Sequence, residues 1–407
     1  MPVWSENRRV LVEGEPRSEY FRKFLGRLRH RGVQAGIGLL FLATASRSVL
    51  AQSWTWTVEN VDRIADFTSL GVDQQGNVHV SYTDNSSHTL KYAFRSAETS
   101  RWFTLLIDKG LQNTTTRLAL DSEGNPHICY PDWPTLKYAH WDGKKWIIQE
   151  ISPGGAKEYT CSLAIASDGT PYVSWYQVRS PTGGFYYHIR TAAMRDGAWF
   201  ARTVDYDGEA GKWNWTALDS QGRPYISYST FPTGELKLAR WNGKEWEIEF
   251  IDSVSRDPEK FNRGMGNCLR MDPKGVFHVS YFGTSELRYA TLEGDHWTIQ
   301  KVDDVNSLGS WVGWLSSLYF DHSGNPHISY DDGGALKHAF WDGKVWHVQI
   351  IALAGAEPYR YSSLGIGPDD TIYVSFRDSA DASLKVAVGH PTTPASTASA
   401  APIAKKD

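Results

Sequence analysis

Short segments in which apolar and polar residues alternate run along most of the chain, separated by turns rich in Gly, Pro or Asp. Alternation with a period of two is typical of β-strands that bury one face. Four such segments form one unit at Leu118–Ile151. No apolar run reaches the ~18–20 residues that a membrane-spanning helix needs. The pattern therefore predicts an all-β protein of short strands.

The four-segment unit recurs seven times. In each unit a His or Tyr follows a turn such as residues 121–126, an aromatic residue stands three places later, and a Leu-Lys-Tyr-Ala-like segment follows. The His or Tyr positions are His79, His127, Tyr172, Tyr225, His278, His327 and Tyr373. A period of about 48 residues with four strands is the pattern of a propeller blade. We therefore predict a seven-bladed β-propeller with four antiparallel strands per blade.

The last repeat stops at Val388 and lacks its fourth strand, which opens with Trp in the other repeats. A spare copy lies near the other end of the chain, where Trp56–Asp62 matches Trp246–Asp252 position for position. We predict that Trp56–Asp62 completes blade seven and closes the ring, which removes two open sheet edges.

The N-terminal 51 residues resemble an export signal. Basic residues lead into the apolar stretch Val33–Ala45, and small residues follow at Val49–Ala51. This order is typical of a secretory signal peptide, and the apolar stretch is short for the alternative, a membrane anchor. The sequence predicts a signal peptide at 1–51 and a secreted or periplasmic protein without a membrane span after cleavage.

The remaining chain divides into a propeller at 52–389 and a tail at 390–407. The tail is rich in Pro, Thr, Ser and Ala, so it lacks the apolar residues for a packed core and is predicted to be disordered. Without residues 1–51 the chain has 33 basic and 42 acidic residues, a formal net charge of −9. Nucleic acid is an unfavourable partner for such a surface. A monomer is predicted.

No metal or cofactor is predicted. Cys129, Cys161 and Cys268 show no zinc spacing, and both one bridge, such as Cys129–Cys161, and three buried thiols remain open. Asp205–Glu209 faintly resembles a calcium loop but lacks the full ligand spacing. The repeated His residues are predicted to be buried hydrogen-bonding groups of the scaffold, because Tyr replaces them in three repeats.

The loops predict which face binds a ligand. The turns between the first and second and between the third and fourth strands are short and uniform, whereas the other connections differ in every blade. Variable loops on a rigid frame are where binding sites are usually built. Aromatic residues outside the repeat fall in these variable connections: Trp133, Trp213, Trp215, Trp311, Trp314, Tyr359 and Tyr361. They are predicted to stack on sugar rings; the alternative is that they plug the central channel.

Charged residues add further candidates. In four blades an Asp at the end of the second strand is predicted to pair with a Lys on the third. Blades three to five lack that Asp, so Arg190, Lys237 and Arg288 are predicted to be free for an anionic ligand. Catalytic residues are not assigned, but candidates near the variable face are Arg117, Arg263, Arg360, Arg377, Glu158 and Glu357.

The repeat Asp-x-x-Gly-x-Pro-His-Ile-Ser-Tyr, followed by Leu-Lys-Tyr-Ala-x-Trp-Asp-Gly, resembles exported bacterial propellers of the neuraminidase-repeat, sialidase-like group, over about residues 54–389. The Trp-bearing blades also resemble propeller lectins. Sialidases have six blades and an Asp-box that this sequence lacks, so the resemblance implies no catalytic residue. It implies a propeller fold and a glycan or polysaccharide partner.

The leading functional hypothesis is a secreted carbohydrate-binding, lectin-like propeller with one ligand face built from the variable loops. One alternative is a polysaccharide hydrolase or lyase. A second alternative is a protein-interaction scaffold. Fold alone does not choose between them.

Overall fold

The computed structural model shows an all-β architecture, and within the ranges it describes no helix has the length and apolar character to cross a bilayer. It describes residues 53–111, 115–132, 134–152, 156–179, 186–206, 209–231, 233–253, 266–283, 285–304, 316–353 and 361–392.

The strands form seven four-stranded antiparallel sheets, which we number as blades one to seven. Blades one to four are β2 (Thr68–Val72), β3 (Val78–Asp84), β4 (Thr89–Arg95), β5 (Trp102–Lys109); β6 (Arg117–Leu120), β7 (Pro126–Asp132), β8 (Thr135–Trp141), β9 (Trp146–Ser152); β10 (Ala156–Ile165), β11 (Pro171–Arg179), β12 (Tyr186–Arg195), β13 (Ala198–Asp205); and β14 (Glu209–Leu218), β15 (Pro224–Phe231), β16 (Glu235–Trp241), β17 (Trp246–Ser253). Blades five to seven are β18 (Asn267–Met271), β19 (Phe277–Phe282), β20 (Glu286–Glu293), β21 (His296–Asp304); β22 (Ser317–Phe320), β23 (Pro326–Asp331), β24 (Ala335–Trp341), β25 (Trp346–Leu353); and β26 (Ser363–Ile366), β27 (Ile372–Arg377), β28 (Leu384–Thr392) with β1 (Ser53–Asp62).

The sheets are arranged as a ring, which confirms the predicted seven-bladed propeller. The first strand of each blade packs against the first strand of the next, and β26 of blade seven packs against β2 of blade one. These seven strands surround the axis, and the fourth strands form the outer rim. Apolar clusters fill the walls between blades, with the second-strand aromatics Tyr82, Tyr130 and Trp175 completely buried.

Blade seven takes its outer strand from the other end of the chain. β1 pairs antiparallel with β28, with Trp56 opposite Gly389. A Cβ atom on Gly389 would lie 2.8 Å from the Trp56 ring, so glycine is needed where the indole crosses the strand. The paired strands extend beyond the predicted bounds, because β1 begins at Ser53 and β28 continues to Thr392, inside the predicted tail.

One link joins every pair of neighbouring blades near the axis. A Ser on the second strand of one blade bonds to a polar side chain at the start of the next blade. The six hydrogen-bonded pairs are Ser81–Thr116, Ser174–Asn214, Ser227–Asn267, Ser280–Ser316, Ser329–Ser362 and Ser375–Thr68. The seventh pair is the disulfide Cys129–Cys161, at the same register positions. The structure thus selects the one-bridge alternative, and Cys268 is a buried free thiol.

A second link lies farther out at five of the seven walls. The buried Tyr of one blade donates a hydrogen bond to an Asp on the outer strand of the preceding blade, as Tyr130 does to Asp108 at 2.9 Å. Lys137 bridges the same Asp and Asp132 of its own blade, at 3.0 and 2.7 Å, which confirms the predicted Asp–Lys pairing. The Tyr–Asp pairs are Tyr82–Asp62, Tyr130–Asp108, Tyr228–Asp205, Tyr281–Asp252 and Tyr330–Asp303.

The predicted scaffold role of the His residues is confirmed. His79 contacts the hydroxyl of Tyr92 through Nδ1 at 2.6 Å and Asp73 of the preceding turn through Nε2 at 3.2 Å. The same Asp–His–Tyr chain occurs in blades two and five, and in blade six a second histidine, His338, takes the place of the Tyr.

Candidate functional site

Two register positions on the first strands face the crowded axis, and most blades fill them with small residues. The first axial position pairs across to the Ser, or Cys129, of the link described above, and the second lies two residues later, on the same side of the strand. In order, the first holds Ser69, Arg117, Ser162, Trp215, Cys268, Ser317 and Ser363, and the second holds Gly71, Ala119, Ala164, Ala217, Arg270, Tyr319 and Gly365. Space explains the small residues, since a Cβ on Gly71 would lie 3.0 Å from the Leu118 side chain. Four large residues break the rule.

These four exceptions contact one another, although they come from blades two, four, five and six. The guanidinium carbon of Arg117 lies 4.6 Å from the centre of the Trp215 ring, and that of Arg270 lies 5.6 Å from the same centre. Arg270 also lies 4.0 Å from the centre of the Tyr319 ring and donates through Nε to the Leu318 carbonyl at 3.2 Å. We call Arg117, Trp215, Arg270 and Tyr319 the axial cluster.

The axial cluster contains two positive charges and no negative one. In the part of the chain that the structure describes, no carboxylate forms an ion pair with Arg117 or Arg270. Burial lowers the pKa of Arg117 to about 10, so this guanidinium is still protonated at neutral pH. Burial raises the pKa of the neighbouring Cys268 thiol, which therefore is not an anion there.

The axial cluster lines a cavity of about 460 Å³. Its other walls include the uniform turns at Asp73–Gln75 and Asp121–Gly124, so it lies toward the face with uniform turns. Farther along the axis Arg117 also lines a space of only about 20 Å³, which is enough for about one water molecule. The channel is therefore wide at the uniform face and narrow behind Arg117.

Two aromatic residues at the narrow end have unusual backbones. Trp213 and Tyr361 both line the small space and adopt positive φ angles of 54° and 63°. Bulky residues rarely adopt this conformation, which costs on the order of 1–3 kcal/mol. The Tyr361 ring also packs 4.0 Å from that of Phe67. These aromatics narrow the channel, in agreement with the plug alternative.

The structure thus brings together four of the predicted site residues, Arg117, Trp213, Trp215 and Tyr361, around the axis. Arg377 lies apart, 4.0 Å from Asp66. The other candidates fall outside the described residues or, for Glu158, have a side chain that is not described: Trp133, Glu158, Arg263, Trp311, Trp314, Glu357, Tyr359 and Arg360. The predicted ligand face of variable loops contains several of these gaps and stays a prediction.

The prediction that blades three to five leave their third-strand cations free is wrong. Arg288 forms ion pairs with Asp252 and Glu286, both at 2.6 Å. Lys237 pairs with Glu235 at 3.3 Å, and Arg190 donates to Gln177 at 3.2 Å. For Arg288 the unexpected partner comes from the outer strand of the preceding blade, and the repeat does not reveal that neighbour.

A second cavity lies between the outer parts of blades three and four. It has a volume of about 610 Å³, and we call it the 3/4 groove. One wall is β13, with Phe200 exposed over 55% of its surface, and the other is the turn of blade four that begins at Trp241. Arg202 of β13 crosses between them, with its guanidinium carbon 4.9 Å from the centre of the Trp241 ring.

The composition of the 3/4 groove combines flat apolar rings with hydrogen-bonding groups. Trp199 and Trp246 line it beside Trp241, whose ring centre lies 5.4 Å from that of Trp246. Arg195 and Asp196 supply polar groups at the same wall. Trp141 and Trp341 occupy the position of Trp241 in blades two and six, but the preceding outer strands place no Arg at the position of Arg202.

The repeat alone did not identify Arg270, Tyr319, Arg202 or Trp241. The signal for Arg270 and Tyr319 is present in the sequence, as the two large residues in a column of Gly and Ala. Trp241 lies at a uniform turn of the repeat, so its role becomes visible only with Arg202 beside it. Among the described residues, no group of three or more His, Cys, Asp and Glu side chains is arranged to hold a metal ion.

No protein-family model matches the sequence. No curated protein matches it either. Solved propeller structures do match. A mutant Aleuria aurantia lectin in complex with alpha-methyl-L-fucoside is 14% identical, over 75% of this chain and 99% of the lectin, with a TM-score of 0.50.

Two enzymes match to a similar degree. An ulvan lyase, a polysaccharide lyase bound to an oligosaccharide, is 14% identical over 82% of this chain and 95% of its own, with a TM-score of 0.50. Kuenenia stuttgartiensis hydrazine synthase is 12% identical over 80% and 96%, with a TM-score of 0.51. At these identities the likeness shows the fold alone. The predicted resemblance to propeller lectins is confirmed at the level of the fold, without a close functional match.

Proposed function

We propose that the protein is an exported propeller that binds carbohydrate in the 3/4 groove. The observation that carries the proposal is the juxtaposition of Trp241, Phe200 and Arg202 on the rim of a cavity of about 610 Å³. Sugar rings present C–H faces that pack on aromatic rings, and their hydroxyls need hydrogen-bonding neighbours. The groove supplies both within one cavity.

Two further observations support this proposal. The Cys129–Cys161 disulfide suits export, because such bonds persist in oxidising compartments and are rare in the cytosol. Among the similar propellers, one was solved with a fucoside and another with an oligosaccharide. Binding is favoured over hydrolysis because no pair of carboxylates lines the groove among its described residues.

The test uses the chain from Gln52 on immobilised neutral and acidic polysaccharides. We expect retention of at least one neutral glycan, and a loss of about tenfold in affinity for Trp241→Ala, since an aromatic contact is worth roughly 0.5–1.5 kcal/mol. Trp141→Ala and Trp341→Ala are matched controls, because they remove the same residue from blades two and six. Arg202→Ala is expected to weaken binding as well.

The outcomes separate the alternatives. If the three Trp variants bind equally, the 3/4 groove is not the site. If mass spectrometry of the soluble products shows shortened chains, the protein is an enzyme, and an unsaturated end would mark a lyase. If no glycan is cut or held, carbohydrate is not the ligand and a protein partner becomes the better hypothesis.

A further inference from the structure

The axial cluster brings two positive charges close together, and the 3/4 groove does not explain this arrangement. Arg117 and Arg270 lie against the same indole, so their charges are at most about 10 Å apart, a distance at which repulsion is only partly screened. Both side chains are half-buried. Removing a cation from water is costly unless a partner of opposite charge or several acceptors replace the water.

Among the residues that the structure describes, the groups around the two guanidiniums do not supply that partner. Trp215 and Tyr319 offer ring faces, Leu318 offers one carbonyl, and the Cys268 thiol is protonated at neutral pH because burial raises its pKa. Ring faces attract a cation but do not cancel its charge.

The described acidic residues on the cavity wall are engaged in their own turns. Asp73 accepts hydrogen bonds from Asn77 and contacts His79. Asp121 does the same with Asn125 and His127, at the next turn around the axis. Both carboxylates therefore stabilise their own turns and are not ion-paired with the axial cluster.

We propose that the channel cavity is a binding site for an oxyanion group, a carboxylate, sulfate or phosphate, held by Arg117 and Arg270. Guanidinium groups bind such oxygens through paired, charge-assisted hydrogen bonds. The cavity of about 460 Å³ has room for a small acid or for one acidic unit at a chain end. The proposal is independent of the 3/4 groove and adds a second ligand class.

The local sequence supports a ligand role over a packing role. At the two axial positions ten of fourteen residues are Ser, Cys, Gly or Ala, so the fold tolerates small side chains there. Arg117→Ser and Arg270→Ala restore the residue types of the other blades. Because each removes an uncompensated charge and fills its position with the usual residue, both variants are expected to fold with an unfolding midpoint close to that of the parent.

The experiment titrates the chain from Gln52 with sodium sulfate, sodium phosphate and sodium glucuronate, each at low millimolar concentration. Sodium chloride holds the ionic strength constant, and glucose is the neutral counterpart of glucuronate. Calorimetry or the shift in unfolding temperature gives the affinity. We expect at least one anion to bind, the variants Arg117→Ser and Arg270→Ala to weaken it about tenfold or more, and glucose to have no effect at this site. The anion that binds best identifies the source of the oxyanion.

Two controls make the result specific. Arg101→Ala removes an exposed arginine and should leave anion binding unchanged, and Trp241→Ala should do the same even if it abolishes glycan binding. The proposal is overturned if none of the three anions binds, or if both axial variants bind them as the parent does. Because the Trp241 variant reports on the groove, the failure of one site is distinguishable from the failure of the other.

Discussion

The walls between blades and the axis of the channel depart from the repeat in different ways. In the walls, departures come in matched pairs. Cys129 replaces a Ser where Cys161 replaces its partner, and the bond between them takes the place of the hydrogen bond. In blade seven Phe376 occupies the position of the buried Tyr and cannot donate a hydrogen bond. The outer strand of the preceding blade has Ala352 in place of the Asp that would accept it.

At the axis the departures are not matched by other described residues. Arg117 and Arg270 bring two charges of the same sign, and no described carboxylate accompanies them. A change that is compensated within the chain preserves the scaffold, whereas an uncompensated buried charge costs free energy that a bound group of opposite charge would offset. We therefore expect the matched departures to be structural and the unmatched ones to mark a ligand-binding site.

The largest effect is expected from removing the outer strand of blade seven. β1 supplies Asp62 to Tyr82 at 2.7 Å and to Lys91 at 3.2 Å, which are the contacts that Asp108 makes at the next wall. β1 also places Trp54 against His327 and Phe340 of blade six. A chain that begins at Arg63 would expose the edge of β28 and lose two walls, so it should lose cooperative unfolding or associate.

The measurement compares chains that begin at Gln52 and Arg63 by circular dichroism during heating and by light scattering. Adding a synthetic peptide of residues 53–62 should restore part of the lost stability. If the shorter chain unfolds at the same temperature as the longer one, β1 is not needed to close the ring, and the prediction that it completes blade seven is wrong.

A smaller effect is expected from the wall between blades two and three. The double variant Cys129→Ser with Cys161→Ser replaces the disulfide between blades two and three by a Ser–Ser hydrogen bond. A bond of this kind joins blades five and six in the parent. Opening a loop closed over 32 residues costs roughly 3–4 kcal/mol, and a hydrogen bond returns about 1 kcal/mol. We therefore expect a net loss of about 2–3 kcal/mol in urea unfolding.

The matched control is Ser280→Ala with Ser316→Ala, which removes the equivalent hydrogen bond and should cost about 1 kcal/mol. Glycan and anion binding should be unchanged in both double variants. Equal losses in the two would mean that the disulfide adds no stability beyond the link that it replaces.

How much the sequence predicts depends on whether a feature repeats. The seven blades, the pairing of Lys137 with Asp132 and the role of His79 recur, so one copy checks another. The partner of Arg288 lies on the preceding blade, and its identity requires the packing of two sheets. Arg117 of blade two and Arg270 of blade five meet at the Trp215 ring of blade four, across the axis, and no local pattern expresses that arrangement.

The smallest effect concerns the stability of the protein in acid. It arises in blade six, where His338 replaces the Tyr that other blades place beside the scaffold His. Tyr92, Tyr138 and Tyr289 donate or accept at the scaffold His of their blades, and each packs edge-on against the Trp of the next outer strand. His338 takes this position in blade six, 2.9 Å from His327 and with its ring 5.4 Å from that of Trp56. Burial, and then His327, holds the pKa of His338 well below its usual value.

Because this pKa is lower in the folded than in the unfolded chain, the unfolded chain takes up the proton first as the pH falls below about 6.5. Stability is therefore unaffected by His338 above about pH 7 and decreases below that, by up to about 1.4 kcal/mol per pH unit. His338→Tyr restores the residue of blades one, two and five and should flatten the decrease in urea midpoint between pH 7 and 5. The exposed His296→Gln serves as the control. If His338→Tyr and the parent lose stability in parallel, the buried histidine pair is not a source of acid sensitivity, and the acidic links between the blades, such as Asp62 with Tyr82, become the explanation to test next.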